Sequence, residues 1–353
     1  MTAVHAVEVV TPDGIDDPRR PSGGNTYDRR LCRALAARGW SVRLRQLPGD
    51  WPEAGEVARR HLADVLDAVP AGSVALVDGL VALAAPQVVV PASRRLRVVV
   101  LVHMPISAHS TRAREGEAAV LRSAVGVVSP SEWSRRWLLA QHRLDPRRVH
   151  VAPPGVDPAP AVSGSAHGGR LLCVGAVTRA KGHDLLAAAL ASVADRSWSC
   201  TCVGSLDRDP AYVTELCESV RALGLTDRVE LRGPLTGSGL DAAYAAADVL
   251  VHASRAETYG MVVTEALARG LPVLATDAGG VSEALGATPD GQRPGMLTEV
   301  DSAAGLAGSL SSWLADADVR RRLRRSALVR RAGLVGWDRT GDRVARVLEG
   351  VGA

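Results

Sequence analysis

Short apolar runs alternate with longer stretches of helical periodicity along this 353-residue chain, and that alternation constrains the fold more than any other feature. The runs lie at residues 4–10, 41–47, 74–77, 97–102, 126–128 and 149–152, with helical patterns at 25–38 and 116–123 among them. Near-continuous Val and Leu, rather than strict alternation, suit strands buried on both faces. Such strands occur in parallel sheets whose crossovers are helices. A second series follows at 170–177, 199–203, 229–232, 249–252 and 273–275, with helical patterns at 183–194, 212–223 and 259–269. Between the two series, Pro153-Pro154-Gly155-Val156-Asp157 opens a Pro/Ala/Ser/Gly-rich stretch that reads as a linker. A single core stops growing near roughly 250–300 residues, so two domains are expected. The expected fold class is α/β, with two Rossmann-like doubly wound domains at 1–165 and 166–335 facing each other across a cleft. Arginine-rich and amphipathic helical patterns at 317–334 and 338–348 close the chain, and segment 336–353 is expected to return toward the first domain.

Composition removes several classes. Hydrophobic residues at 46% and charged residues at 23% describe a globular chain, not a disordered one. A net charge of +4 is too small for a nucleic-acid partner. The run Arg320–Arg325 reads as the solvated face of a helix. Five cysteines without a CxxC pair point to free thiols rather than a disulfide framework or zinc site. No apolar stretch approaches the roughly 20 residues of a membrane span, and no basic-then-apolar leader opens the chain, so a cytoplasmic location is expected. The helical pattern 133–142, with Arg135, Arg136 and Trp137, could touch a membrane surface, and amphipathic packing explains it equally well. Of 42 Lys and Arg residues only Lys181 is a lysine, Asn25 is the only asparagine, and phenylalanine is absent. The missing residues share A/T-rich codons, so drift in a GC-rich genome accounts for most of this bias.

Residues 249–283 carry the chemistry. An apolar run enters a polar loop containing Glu257 and then a helical pattern, so the backbone N–H groups of Gly260, Met261 and Val262 fall at a helix N-terminus, a ready anion site. Glu265 lies on the second turn of that helix. Eight residues of helical rotation leave the two carboxylates less than a quarter-turn apart. Carboxylates repel phosphate, so their natural partners are sugar hydroxyls. The plainer reading makes Glu257 a helix-dipole partner and Glu265 a surface residue.

Glu257-Thr-Tyr-Gly-Met-Val-Val-Thr-Glu265 resembles the E-x7-E element of retaining GT-B glycosyltransferases of family 4. Val174–Gly182, with Lys181-Gly182, is similar to the family's strand-end loop, and Pro154–Asp157 to its NGVD interdomain element. Ser22-Gly23-Gly24 resembles the N-terminal glycine loop, and Ser129-Pro-Ser131-Glu-Trp133 the end of the first domain. These stand in the expected order. The resemblance implies that Glu257 holds donor-sugar hydroxyls and Glu265 the ribose. Lys181, helped by Arg179, neutralises the leaving diphosphate, while Gly260, Met261 and Val262 bind it through N–H groups. Tyr259 belongs to the same donor-binding loop, Gly23 and Gly24 let backbone approach the phosphates, and His103 lies near the reacting sugar carbon. His103, Lys181 and Glu257 are thus the expected catalytic set. Asn25, Tyr27 and Asp28 follow the glycine loop and are expected on the acceptor side. One departure stands out: the family's arginine after the loop glycine is Ala176 here.

The implied reaction is retaining transfer of a hexosyl or N-acetylhexosaminyl group from a nucleotide sugar. A UDP-sugar such as UDP-N-acetylglucosamine is favoured as donor, and the acceptor is expected to be a small molecule. No DxD-type pair ends a strand, since Asp207-Arg-Asp209 falls in a polar loop, so neither a metal nor another cofactor is expected. The alternatives are an inactive nucleotide-sugar-binding or partner protein and, less favoured, a nucleotide-sugar epimerase. A nicotinamide oxidoreductase is disfavoured because no GxGxxG follows the first run, and no phosphate-loop GxxxxGK[ST] occurs.

Overall fold

The computed structural model describes residues 5–19, 21–104 and 111–352. It separates into two compact units. The first comprises residues up to Asp16, Gly23–Gly155 and Gly336 onward, and the second Asp17–Ser22 and Val156–Val335. Each is built on one six-stranded, fully parallel sheet.

In the first unit, strands β1 (Ala6–Pro12), β2 (Ser41–Leu47), β3 (Val74–Asp78), β4 (Arg97–Leu101), β5 (Gly126–Ser129) and β6 (Val149–Val151) lie in the order β2-β1-β3-β4-β5-β6. In the second, β7 (Arg170–Val174), β8 (Ser199–Val203), β9 (Val229–Leu231), β10 (Val249–His252), β11 (Val273–Thr276) and β12 (Gly295–Thr298) lie in the order β12-β11-β10-β7-β8-β9. Every residue of β3 and β10 is buried. Successive residues still alternate between faces. Ala75 and Val77 enter one core cluster while Val74 and Leu76 enter another, and Val249 and Val251 oppose Leu250 in the same way. Two apolar layers sandwich each sheet, which is why the sequence shows runs instead of alternation.

The chain leaves the first unit ten residues before the boundary expected from the sequence. Segment 156–165 belongs to the second unit: Val162 N donates to Arg269 O at 2.9 Å, and Ser165 Oγ donates to buried Asp248 at 2.6 Å. The chain re-enters the first unit at Gly336, and a Cβ on Gly155 would lie 2.3 Å from the Trp337 nitrogen. The final helix, Trp337–Gly352, buries Val344 and Leu348 against Val7, Val9 and Leu31. Gly341 lets it approach Ala34, where a Cβ would come within 2.7 Å.

In the absence of phenylalanine, Trp40, Trp51, Trp198 and Trp313 are buried core residues, and three of the four tyrosines, Tyr27, Tyr212 and Tyr244, are fully or almost fully buried too. Each phenol has a polar partner: Ala152 O, Asp184 and Glu265 respectively. The strand β12 went unread because Gly295 and Pro294 precede only two apolar residues. Gly295 is required there, since a Cβ would lie 2.1 Å from Val273 O in the adjacent strand. No helix among the described residues is long and apolar enough to cross a membrane.

Candidate functional site

In doubly wound sheets, loops at the strands' carboxyl ends diverge where the strand order reverses, and ligands bind there. In the second unit the reversal falls between β7 and β10. The loops leaving these two strands carry Lys181 and Glu257.

The loop after β7 ends in a short turn, Arg179–Lys181, closed by Gly182. Gly182 has φ +65°, and a Cβ there would lie 2.1 Å from Ala253 O in the other loop. Only glycine satisfies both the left-handed backbone and this approach. Arg255 stitches the loops further. Its N–H donates to Ala180 O at 2.8 Å, and its guanidinium grips Asp184 with two 2.8 Å bonds and reaches Arg179 O. That guanidinium holds the Asp184 carboxyl well below the usual range. Nothing in the sequence singles out Arg255, one arginine among 42 basic residues.

Across this junction Lys181 Nζ donates to Glu257 Oε2 at 2.5 Å, with 14% of the Glu257 side chain exposed. His252, at the end of β10, brings Nε2 within 3.4 Å of the same oxygen. Burial alone would raise the Glu257 carboxyl, but Lys181 and His252 outweigh it and hold it below the ordinary range. The structure therefore brings together Lys181 and Glu257, which the sequence assigned to different parts of a donor, and adds His252, which it did not single out. Glu257 O also accepts from Gly280 N at 3.0 Å. A Cβ on Gly280 would lie 2.3 Å from Thr258 O, so the Gly279-Gly280 turn sits directly on the Thr258-Tyr259 backbone.

Gly260, with φ +95°, opens the helix Met261–Ala268. The first N–H groups of this helix precede its own carbonyl ladder, as anion binding requires. Glu265, on the same helix, accepts from Tyr244 O–H at 2.8 Å, and burial pushes its carboxyl up. Arg179 does not stand beside Lys181. Its guanidinium pairs with Glu215 at 2.5 Å and lies over the Tyr212 ring. The polar loop of Asp207-Arg-Asp209 has a structural use, since Asp209 caps the helix Pro210–Ala222 by accepting from Tyr212 N.

In the first unit the glycine pair is not a loop before a helix. Gly23 and Gly24 form the first turn of the helix Gly23–Ala36. A Cβ on Gly24 would sit 3.2 Å from the His103 ring, so this glycine makes room for an imidazole. Tyr27, expected on the acceptor side, is a core residue. It donates to Ala152 O at 2.8 Å, and its ring meets His103 and Trp337 edge-on. Asn25 is half-buried on the same helix. Asp28 is 2% exposed and accepts from His103 Nε2 at 2.8 Å, while Asp78, at the end of β3, stands 3.3 Å from that nitrogen. Asp78 was not anticipated, because a lone acid closing an apolar run looks like any helix cap.

Among the described residues, two groups place three ligating atoms within 4.8 Å of one another: Asp28, Asp78 and His103, and Cys173, His183 and Cys202. In the first, a hydrogen bond already joins the imidazole to Asp28. In the second, Cys173 Sγ and His183 Nε2 lie 3.7 Å apart in the core; Cys202 and burial push the Cys173 thiol well up, and Cys200 and burial outweigh Cys173 to push Cys202 well up, so both carry protons.

Residues 165–330 match the family model of the glycosyl transferases group 1, and residues 5–160 that of glycosyltransferase family 4. The D-inositol 3-phosphate glycosyltransferase of Salinispora tropica is 33% identical over 250 residues, 64% of this chain and 51% of that protein. Its counterpart from Catenulispora acidiphila is 33% identical over 253 residues, 66% of this chain and 59% of that one. The match thus spans little more than half the length of these relatives. Among solved structures, sucrose-phosphate synthase from Thermosynechococcus elongatus aligns with a TM-score of 0.81 at 21% identity, covering 98% of this chain and 99% of that one. Anabaena HepE in complex with UDP-glucose aligns with a TM-score of 0.77 at 18% identity, covering 98% and 99%. At these identities the structures attest the fold alone. With one family model matched over each half and the two-sheet fold in common, the chain belongs to the group 1, family 4 glycosyltransferases of GT-B fold.

Proposed function

We propose that this chain transfers a sugar, with retention at the anomeric carbon, from a nucleoside diphosphate donor to a hydroxyl or amine of a small acceptor. The observation that carries this reading is the Lys181–Glu257 pair held at the strand-order reversal of the second unit. Transfer must stabilise a departing diphosphate and a positively charged, oxocarbenium-like sugar. The Lys181 ammonium and the N–H groups of Gly260, Met261 and Val262 serve the diphosphate, and Glu257 and Tyr259 line the sugar side. Glu257 is ionised and acceptor-only, suited to sugar hydroxyls. Glu265, already bonded to Tyr244, takes the ribose hydroxyls. Lys181 leaves part of its bond to Glu257 when the diphosphate arrives, which ties cation placement to donor binding. For His103 we keep the role implied by the resemblance, and for Asn25 and Asp28 the acceptor side.

A UDP-sugar is the favoured donor, in keeping with the UDP-glucose named for HepE, and no divalent metal is required. The test is a panel of UDP-, GDP- and TDP-sugars followed by thermal shift and by hydrolysis or transfer. Stabilisation by one base series and turnover undiminished in excess EDTA are expected. No stabilisation by any nucleotide sinks the site assignment, and activity lost to EDTA and restored by Mg²⁺ or Mn²⁺ refutes metal independence. One observation favours a second reading, a donor-binding protein without turnover: Ala176 replaces the family arginine and Arg179 is turned to Glu215. Tight donor binding with no hydrolysis or transfer would select it.

A further inference from the structure

Asp28 and Asp78 are buried carboxyls at 2% and 4% exposure, and they meet on one imidazole. Neither position is accounted for by local structure. Asp28 sits inside the helix Gly23–Ala36, where aspartate is a poor helix former and no cap is needed. Asp78 caps the helix Gly79–Ala82 by accepting from Leu80 N at 2.7 Å, but that helix has four residues and uses only Oδ1. Serine or asparagine would cap it without burying a second acid. The other oxygen, Oδ2, faces His103 Nε2.

The backbone is arranged for this meeting. Asp78 pairs in register with Leu101, two residues before His103. A Cβ on Gly79 would lie 3.0 Å from Leu101 O, so the Asp78 turn fits against the end of β4 only with glycine there. Gly24 makes room for the ring on a second side, and the Tyr27 ring closes a third with centroids 5.0 Å apart.

We propose that Asp78 is a positioning residue for His103: with Asp28 it shares a proton and fixes the imidazole in one orientation, Nε2–H directed at the carboxyl pair. Carboxyl oxygens of Asp28 and Asp78 lie within 4.8 Å of each other and of a His103 ring nitrogen, and two buried carboxyls this close favour one keeping its proton. Burial and the Asp28 charge push Asp78 up to about 7. Burial alone would lower His103, but the two acids outweigh it and push it to about 8. Asp78 and His103 therefore exchange protons as a coupled pair near neutrality, both beside Asp28. Among the described residues, Tyr27 and Cys32 on the same helix face Asp28, and Arg343 on the final helix faces Tyr27. The Cys32 thiol is raised to about 12 and the Tyr27 phenol further, so neither titrates in this range. When Asp78 ionises, two like charges stand side by side at the ring, and its fixed orientation is lost.

The proposal rests on the catalytic reading of His103, and its test separates the two. Asparagine at 78 keeps the Leu80 cap and an N–H toward Asp28 at every pH, so Asp78→Asn mimics the proton-bearing form. The His103 imidazole signals are followed by NMR against pH in the wild type and in the Asp78→Asn and Asp28→Asn variants, without substrate. In the wild type His103 should titrate above an ordinary imidazole, with a second inflection near neutrality that Asp78→Asn removes. With UDP-glucose, the wild-type alkaline fall in kcat/KM should move up by at least one pH unit in Asp78→Asn, and Asp78→Ala should lower kcat at least tenfold with donor KM little changed. An unaltered His103 titration in folded Asp78→Asn overturns the proposal whatever the enzyme does. The expected titration with no turnover on any donor overturns instead the catalytic reading.

Discussion

Each unit gathers charged groups beyond the carboxyl ends of its strands, and the two arrive at opposite electrostatics. At the reversal between β7 and β10, one carboxylate faces a lysine, with a histidine nearby, and is held ionised. At the ends of β3 and β4, two carboxyls face one imidazole, and Asp78 retains its proton toward neutrality. Under the proposed function the first arrangement is a cation store that a diphosphate would draw off. The second is a proton store. Burial penalises charge in both, and only the ratio of cations to acids decides the outcome.

The comparison breaks most sharply at Lys181. Lys181→Arg keeps the charge, but a guanidinium grips a carboxylate through two parallel bonds and would stay fixed on Glu257, where an ammonium is a point charge free to shift. The expected result is a fall in kcat/KM of about 100-fold or more, near 3 kcal/mol of transition-state stabilisation, with unfolding by urea unchanged. Near-normal turnover would return the lone lysine to codon drift. Arg255→Ala is expected to cost less, about tenfold in kcat/KM for the donor, because it loosens the turn holding Lys181 without removing the charge. Its signature is a raised donor KM. A change in kcat alone would show that Arg255 does something other than hold the two loops together.

These residues differ in how they can be read from sequence. Strands buried on both faces announce themselves as Val/Leu runs, so eleven of the twelve strand positions were legible, and only β12, two apolar residues behind Pro294-Gly295, was not. Glu257 stood out as a carboxylate in a strand–loop–helix segment, and Lys181 through the resemblance of its KG pair. Asp78 and Arg255 did not. Their importance lies in which distant groups they meet, and an acid after an apolar run or one arginine among many carries no such information. Tyr27 shows the reverse error. Three residues after the glycine pair it looked like a ligand contact, but one helical turn rotates it into the core, where Ala152 O satisfies its hydroxyl. Arg179 was expected to help Lys181, and its side chain reaches a neighbouring helix at Glu215.

The smallest expected effect concerns stability, and its sign differs between the units. A group whose pKa is raised on folding contributes stability below its unfolded pKa and loses it as pH rises through the folded value. Asp78, moved from 3.8 to about 7, and His103, moved from 6.5 to about 8, both act this way. Glu257 is depressed, so its contribution is present above its ordinary range and lost in acid. Raising the pH from 6 to 9 should therefore weaken the first unit by about 1 kcal/mol, a modest figure because Asp78 and His103 are coupled. Lowering it toward 3 should weaken the second. Amide hydrogen exchange resolved by peptide reads each unit separately across this range. Asp78→Asn should flatten the alkaline slope for peptides of β3 and β4 alone, and Glu257→Gln the acid slope for those of β7 and β10. Parallel slopes in the two units would show that the difference in charge ratio does not govern their stability.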